Sequence, residues 1–170
     1  MKTSILLLAI LLFFTSCSKQ KTKPLHTLVL SDKGVSTLTS STPFLENIIA
    51  PKLMGYDIEL FSAFDAGNVQ SIMRVTHYDE EVMLLFPTQS KKEQESTLES
   101  ITITSNLVQH PFDIQIGENY RSELDLICEK NLDAMRCNAN DYKHIQLIFI
   151  PKDTTKWQLQ EILWNKDALH

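Results

Sequence analysis

The 170-residue sequence is short of the residues that mark several kinds of protein. Its 4 glycines, Gly34, Gly55, Gly67 and Gly117, are scattered singly. A nucleotide site needs successive backbone amides turned round a phosphate, which closely spaced glycines permit, so nucleotide cofactors are disfavoured. No serine stands in a G-x-S-x-G elbow, which argues against a serine hydrolase of that kind. Apolar runs of membrane length are also missing. The longest, Ile5 to Phe14, rises only about 15 Å as a helix, against a hydrocarbon core of roughly 30 Å, so it reads as a leader and not as a span.

Basic residues are scarce where a nucleic-acid partner needs them. Setting aside Lys2 and the lysines at 19, 21 and 23 leaves 12 basic residues against all 21 acidic ones, a net of about minus 9. An acidic domain without a basic stripe is repelled by phosphates, so nucleic acid is not an expected partner. Cysteine is sparse as well: only Cys17, Cys128 and Cys137.

The amino end supplies an address. Lys2, the run Ile5 to Phe14, and then Thr15, Ser16 and Cys17 have the charged, apolar and small-residue parts of a secretory signal over residues 1–16. Phe14-Thr15-Ser16-Cys17 resembles a lipobox, which implies cleavage before Cys17 and lipid on its thiol. Ser18 in the next position implies delivery to the outer membrane. Residues 17–24 hold Lys19, Lys21 and Lys23 among polar neighbours and read as a flexible basic tether. The remaining residues 25–170 suit one domain facing the periplasm. With Cys17 used by lipid, Cys128 and Cys137 form an even pair in an oxidising compartment and are expected to be bonded. Eight residues separate them, not the two of a redox or zinc motif, and neither metal nor cofactor is expected.

Along the chain most segments read as strands. His26 to Leu30 predicts an edge strand ending in the turn Ser31-Asp32-Lys33-Gly34. Thr42 as N-cap and Pro43 in the first turn predict a short helix ending by Gly55. Tyr56, Ile58 and Leu60 alternate with Asp57 and Glu59, and the turn Asp65-Ala66-Gly67-Asn68 leads into Val69 to His77. Tyr78 to Glu81 turns again into the apolar run Val82 to Phe86, giving a meander. Thr88 to Thr97 reads as a solvated loop, and Ile101 and Ile103 as the next strand. After Gly117, Tyr120, Leu124 and Ile127 fall at helical spacing, with Arg121 and Asp125 as an exposed pair. Ile145 to Phe149 and Trp157 to Trp164 read as closing strands. The fold class expected is α+β: a curled, mostly antiparallel sheet of about six or seven strands with two short helices.

Gly34-Val35, Thr42-Pro43-Phe44, Gly55-Tyr56, Ile116-Gly117, the spaced Cys128 and Cys137, and the ending Trp157-x-Leu159-x-x-Ile162-x-Trp164 together resemble the sigma-E-regulated (RpoE-regulated) lipoproteins. The molecular function of that family is unknown. The resemblance implies an outer-membrane lipoprotein connected with envelope stress, and it carries over no catalytic residue.

The candidate site residues are few. His77, Asp79 and Glu81 form the densest titratable group and are weighed as an acid-base or metal group of an envelope hydrolase, against a solvated hairpin tip. Trp157 and Trp164 are weighed as a stacking surface against core packing. The expected role is non-enzymatic binding of an envelope protein partner. A hydrolase, and a small-ligand carrier within the curl of the sheet, are the alternatives.

Overall fold

The computed structural model describes residues 26–65, 68–89 and 95–168. The expected signal over 1–16, lipidated Cys17 and the tether over 17–24 lie outside the described residues, as do 66–67 of the expected Asp65–Asn68 turn and 90–94 of the expected loop.

A small sheet holds β1 (Leu28–Ser31), β2 (Gly34–Val35), β3 (Leu38–Thr39) and β8 (Val108–Gln109), in the order β3-β2-β1-β8. The large sheet is antiparallel throughout and has eight strands. Its first half is a meander of β4 (Asp57–Asp65), β5 (Asn68–His77), β6 (Glu80–Pro87) and β7 (Leu98–Ile103). Its second half contains β9 (Leu126–Lys130), β10 (Met135–Ala139), β11 (Ile145–Pro151) and β12 (Trp157–Asn165). The order is β4-β5-β6-β7-β12-β11-β10-β9, so the last strand of the chain sits in the middle.

The chain is thus β-rich, with more strands than the six or seven expected. Among the described residues there is one short α-helix, α1 (Glu46–Ile49), continued by a 3-10 turn at Ala50–Lys52. The helix starts later than Thr42 because the backbone there is used elsewhere. Phe44 N donates to the Ser96 carbonyl and Leu98 N to the Thr42 carbonyl, which holds 42–44 extended beside 96–98.

The second expected helix is not formed. Gly117 N bonds the Leu159 carbonyl, Leu159 N the Glu118 carbonyl and Tyr120 N the Trp157 carbonyl, so this segment is laid along β12 by tertiary backbone bonds. Helical spacing alone does not outweigh that many satisfied donors. A 3-10 turn at Ser122–Leu124 follows, and Asp125 at φ 45 ends it before β9. Arg121 consequently faces Asp113, bonding its carbonyl and lying 3.4 Å from its carboxylate, instead of pairing with Asp125.

Two further expectations change. β1 is not an edge strand: it pairs antiparallel with β2 and parallel with β8. Its turn to β2 needs Gly34, at φ 132, because a Cβ there would lie 2.0 Å from the Leu38 carbonyl oxygen. In β12, strict alternation would put Trp157 and Leu159 on one face and Ile162 and Trp164 on the other. A register shift between Ile148 and Phe149 of β11 leaves Gln160 without a partner. That bulge turns Leu159, Ile162 and Trp164 all inward, each at most 1% exposed.

One core lies between the sheets. Leu28, Leu30, Val35, Leu38 and Val108 of the small sheet share a cluster with Val75, Met83, Ile101, Leu147, Phe149 and Trp164 of the large one. Asp32 pins the two together. Its main-chain carbonyl accepts from the Trp164 indole at 3.1 Å, and its carboxylate accepts from His144 N at 2.8 Å.

Cys128 and Cys137 are directly opposite on β9 and β10 and are bonded. Cys128 therefore stands in a strand and not at the end of a helix. The bond ties β9 to β10, its one neighbour in the sheet among the described residues. Replacing both cysteines with serine is expected to lower unfolding free energy in urea by about 2 kcal/mol and to speed amide exchange in β9 first. Equal stability with and without the bond would contradict this placement.

Candidate functional site

His77, Asp79 and Glu81 stand at the β5–β6 turn, and each has its own structural engagement. Tyr78 and Asp79 take positive φ values of 51 and 65, as a two-residue hairpin turn requires. The His77 ring lies 5.5 Å from that of Tyr56 and 4.4 Å from that of Tyr78, with Nδ1 3.0 Å from the Gly55 carbonyl. Glu81 instead reaches across the sheet, where its carboxylate accepts from the Thr104 hydroxyl at 3.3 Å. Asp79 is exposed at the tip. The three do not form the acid-base group weighed from the sequence.

The tryptophans separate likewise. Trp164 is 1% exposed and belongs to the core, so it offers no stacking surface. Trp157 is half-buried, and the Lys130 ammonium stands 5.6 Å from its ring centroid.

The candidate surface is the second face of the large sheet, turned away from the core. Pleating puts alternate residues there: Phe61 of β4, Ile72 of β5, Leu84 and Phe86 of β6, Ile148 of β11 and Leu163 of β12. All but Ile72 are half-buried, and none belongs to the core cluster. An antiparallel sheet with one solvated face normally alternates apolar and polar residues. Here the outer positions are mixed: Phe61, Leu84, Phe86, Ile148 and Leu163 are half-buried among the polar neighbours Arg74, Ser100, Thr102, Gln146 and Glu161.

A polar row crosses it. Arg136, Ile148 and Glu161 are partners in successive strands, and Glu161 continues toward Thr104 and Glu81. Burial raises the Glu161 carboxyl above the usual range; Arg136 opposes that shift and Glu81 adds to it. The sequence reading missed Glu161 and Arg136. The bulge at Gln160 decides which way Glu161 points, and no local signal in Trp157–Trp164 marks it.

Beyond the core the β4–β5 hairpin carries an apolar tip. Leu60, Phe64 and Val69 share the face of Met73 and Val75, yet are 50%, 81% and 63% exposed. The period-two reading of β4 is correct for the face, but the core ends before Leu60. On the other face Arg74 lies 5.2 Å from the Phe61 ring centroid and 3.4 Å from the Glu59 carboxylate.

His110 follows β8 in a loop, with both ring nitrogens buried and no hydrogen-bond partner among the described residues. Its ring is 5.8 Å from Phe112, which packs edge-on to Tyr142. Burial lowers its pKa from the ordinary 6.5.

Two opposite pH responses follow from these groups. Native Glu161 binds its proton more tightly than the unfolded chain does, so its contribution is favourable at low pH and lost as pH rises through the raised folded pKa. Glu161→Gln should therefore raise the melting temperature at neutral pH, with the gain vanishing near pH 4; a lower melting temperature at neutral pH would contradict this. Native His110 resists a proton that the unfolded chain accepts, so stability falls as pH drops through about 6.5 toward its lowered folded pKa. His110→Leu should flatten the melting-temperature profile between about pH 7 and 5, and an unchanged slope would contradict burial of the ring nitrogens.

No protein-family model matches the chain, and no curated protein matches it. Among solved structures, the uncharacterized protein yfeY from Escherichia coli is similar, with a TM-score of 0.61 at 21% identity. The alignment covers 80% of this chain and 98% of that one. The chain is thus similar in fold to yfeY over nearly the whole length of that protein.

Proposed function

We propose that the chain is a lipid-anchored protein of the bacterial cell envelope, held at the outer membrane through Cys17, whose domain binds another envelope component without catalysing a reaction. The binding role rests on the second face of the large sheet, where the apolar side chains of Leu84, Phe86, Ile148 and Leu163 are half-buried outside the core among polar neighbours. Apolar area left partly in water is what a partner removes on binding. The address is supported by the leader ending at Thr15-Ser16-Cys17 and by the bonded Cys128 and Cys137, since disulfides persist in oxidising compartments. The resemblance to the RpoE-regulated lipoproteins adds envelope stress as the setting.

Two measurements in intact cells test this. Fatty-acid labelling should mark the wild-type protein in outer-membrane fractions, whereas Cys17→Ser should be unlabelled and soluble; identical fractionation of the two would refute the anchor. A photo-crosslinking residue at Leu163 or Phe86 should trap one recurrent envelope component. The binding role fails if exposed Glu123 gives the same products in the same yield.

A further inference from the structure

β4 forms one margin of the large sheet. Its nine residues, Asp57–Asp65, pair with β5 without a register shift, and among the described residues its backbone bonds nothing else. The N–H and C=O groups that point away from β5 therefore stand in a row with no partner among those residues. An extended chain is the shape whose own groups meet such a row in step.

Sheet margins that face water are normally blunted by proline, by lysine, by a bulge, by a short length or by a charge turned to the apolar side. β4 has none of these. Its inner face runs Ile58, Leu60, Ser62 and Phe64, while the exposed carboxylates of Asp57 and Glu59 lie on the outer face and Glu59 is already answered by Arg74. The opposite margin shows the contrast: β9 has five residues, ends in Lys130 and has the disulfide behind it.

The exposed side chains of β4 say what its occupant looks like. Leu60 and Phe64 share the face of Met73 and Val75 yet stand 50% and 81% exposed, because among the described residues no further strand covers them. A strand added beside β4 brings its own alternate side chains to within about 5 Å of these two and extends the apolar face over them. We propose that β4 is an acceptor for an extended segment of another protein, apolar at every second position, where it lies beside Leu60 and Phe64, and polar without acidic residues on the side of Asp57. A second copy of β4 is a poorer occupant, since that strand brings carboxylates and no basic residue. In strand addition main-chain hydrogen bonds give affinity and the alternating side chains give selectivity. The margin is separate from the outer face, so this inference stands or falls independently of the binding role proposed for that face and of the lipid anchor.

The probe is a fluorescein-labelled nonapeptide in which valine and threonine alternate between terminal lysines, titrated by fluorescence anisotropy with the full chain, expressed with its leader and purified in detergent. It should bind saturably. Successive amides of a strand point to opposite edges, so N-methylation of every valine blocks one edge and N-methylation of every threonine the other. One methylated peptide should bind at least about tenfold more weakly than the parent, as loss of several backbone hydrogen bonds requires, and the other should bind like the parent. Leu60→Lys with Phe64→Lys should weaken binding of the parent about tenfold. Leu132→Lys, which removes a leucine 94% exposed elsewhere, should leave it unchanged. Slow amide exchange of β11 in every variant is the control for folding. A parent peptide that does not bind, two methylated peptides of equal affinity, or a Leu132→Lys protein as weak as the double variant overturns the proposal. Sedimentation of the protein alone covers the remaining outcome: a wild-type dimer that becomes monomeric with Leu60→Lys and Phe64→Lys would make the occupant a second copy and overturn the partner.

Discussion

The two sheets have to close over one core, and the contact that fixes how they do so is made by Asp32. It lies in the turn between β1 and β2, yet its carbonyl receives the Trp164 indole and its carboxylate the backbone of His144. Trp164 is the largest fully buried side chain, and an indole N–H left without an acceptor in such a core is costly. A single turn residue therefore sets the position of the small sheet against the middle of the large one. Gly34 serves the same closure by letting β2 fold back at a distance no side chain would allow.

With the inner face of the large sheet filled in this way, the proposed binding role falls to its outer face and margins. The outer face mixes half-buried apolar side chains with polar ones; the β4 margin carries Asp57 and Glu59 and has an apolar tip; the β9 margin is short and held to β10 by the disulfide. These surfaces differ in chemistry. The margin with no covalent tie is also the long one, and its carboxylates discourage self-pairing.

Much of the first half of the fold was legible in the sequence. Alternation in Tyr56–Leu60, the apolar run Val82–Phe86 and the turn at Tyr78 specify β4 to β6, because their side chains obey the strand period and their turns are short. The bond between Cys128 and Cys137 was expected once Cys17 was set aside for lipid, and the two cysteines are bonded. The segment 117–127 was not legible, since Tyr120, Leu124 and Ile127 match a helical period by coincidence, and the hydrogen bonds that override it come from β12, far along the chain. Core packing of Trp164 was one of the two readings weighed from the sequence, but the bulge that turns it inward is announced by no residue type. The same bulge hid Glu161.

The position of β12 has a consequence in time. Among the described residues the large sheet is two four-stranded halves joined by β12, through Ile162 to Asn165 beside β7. Contacts between residues so far apart in the chain close slowly. Until Ile162 to Asn165 reach β7, the two halves of the large sheet lack the backbone pairing that joins them.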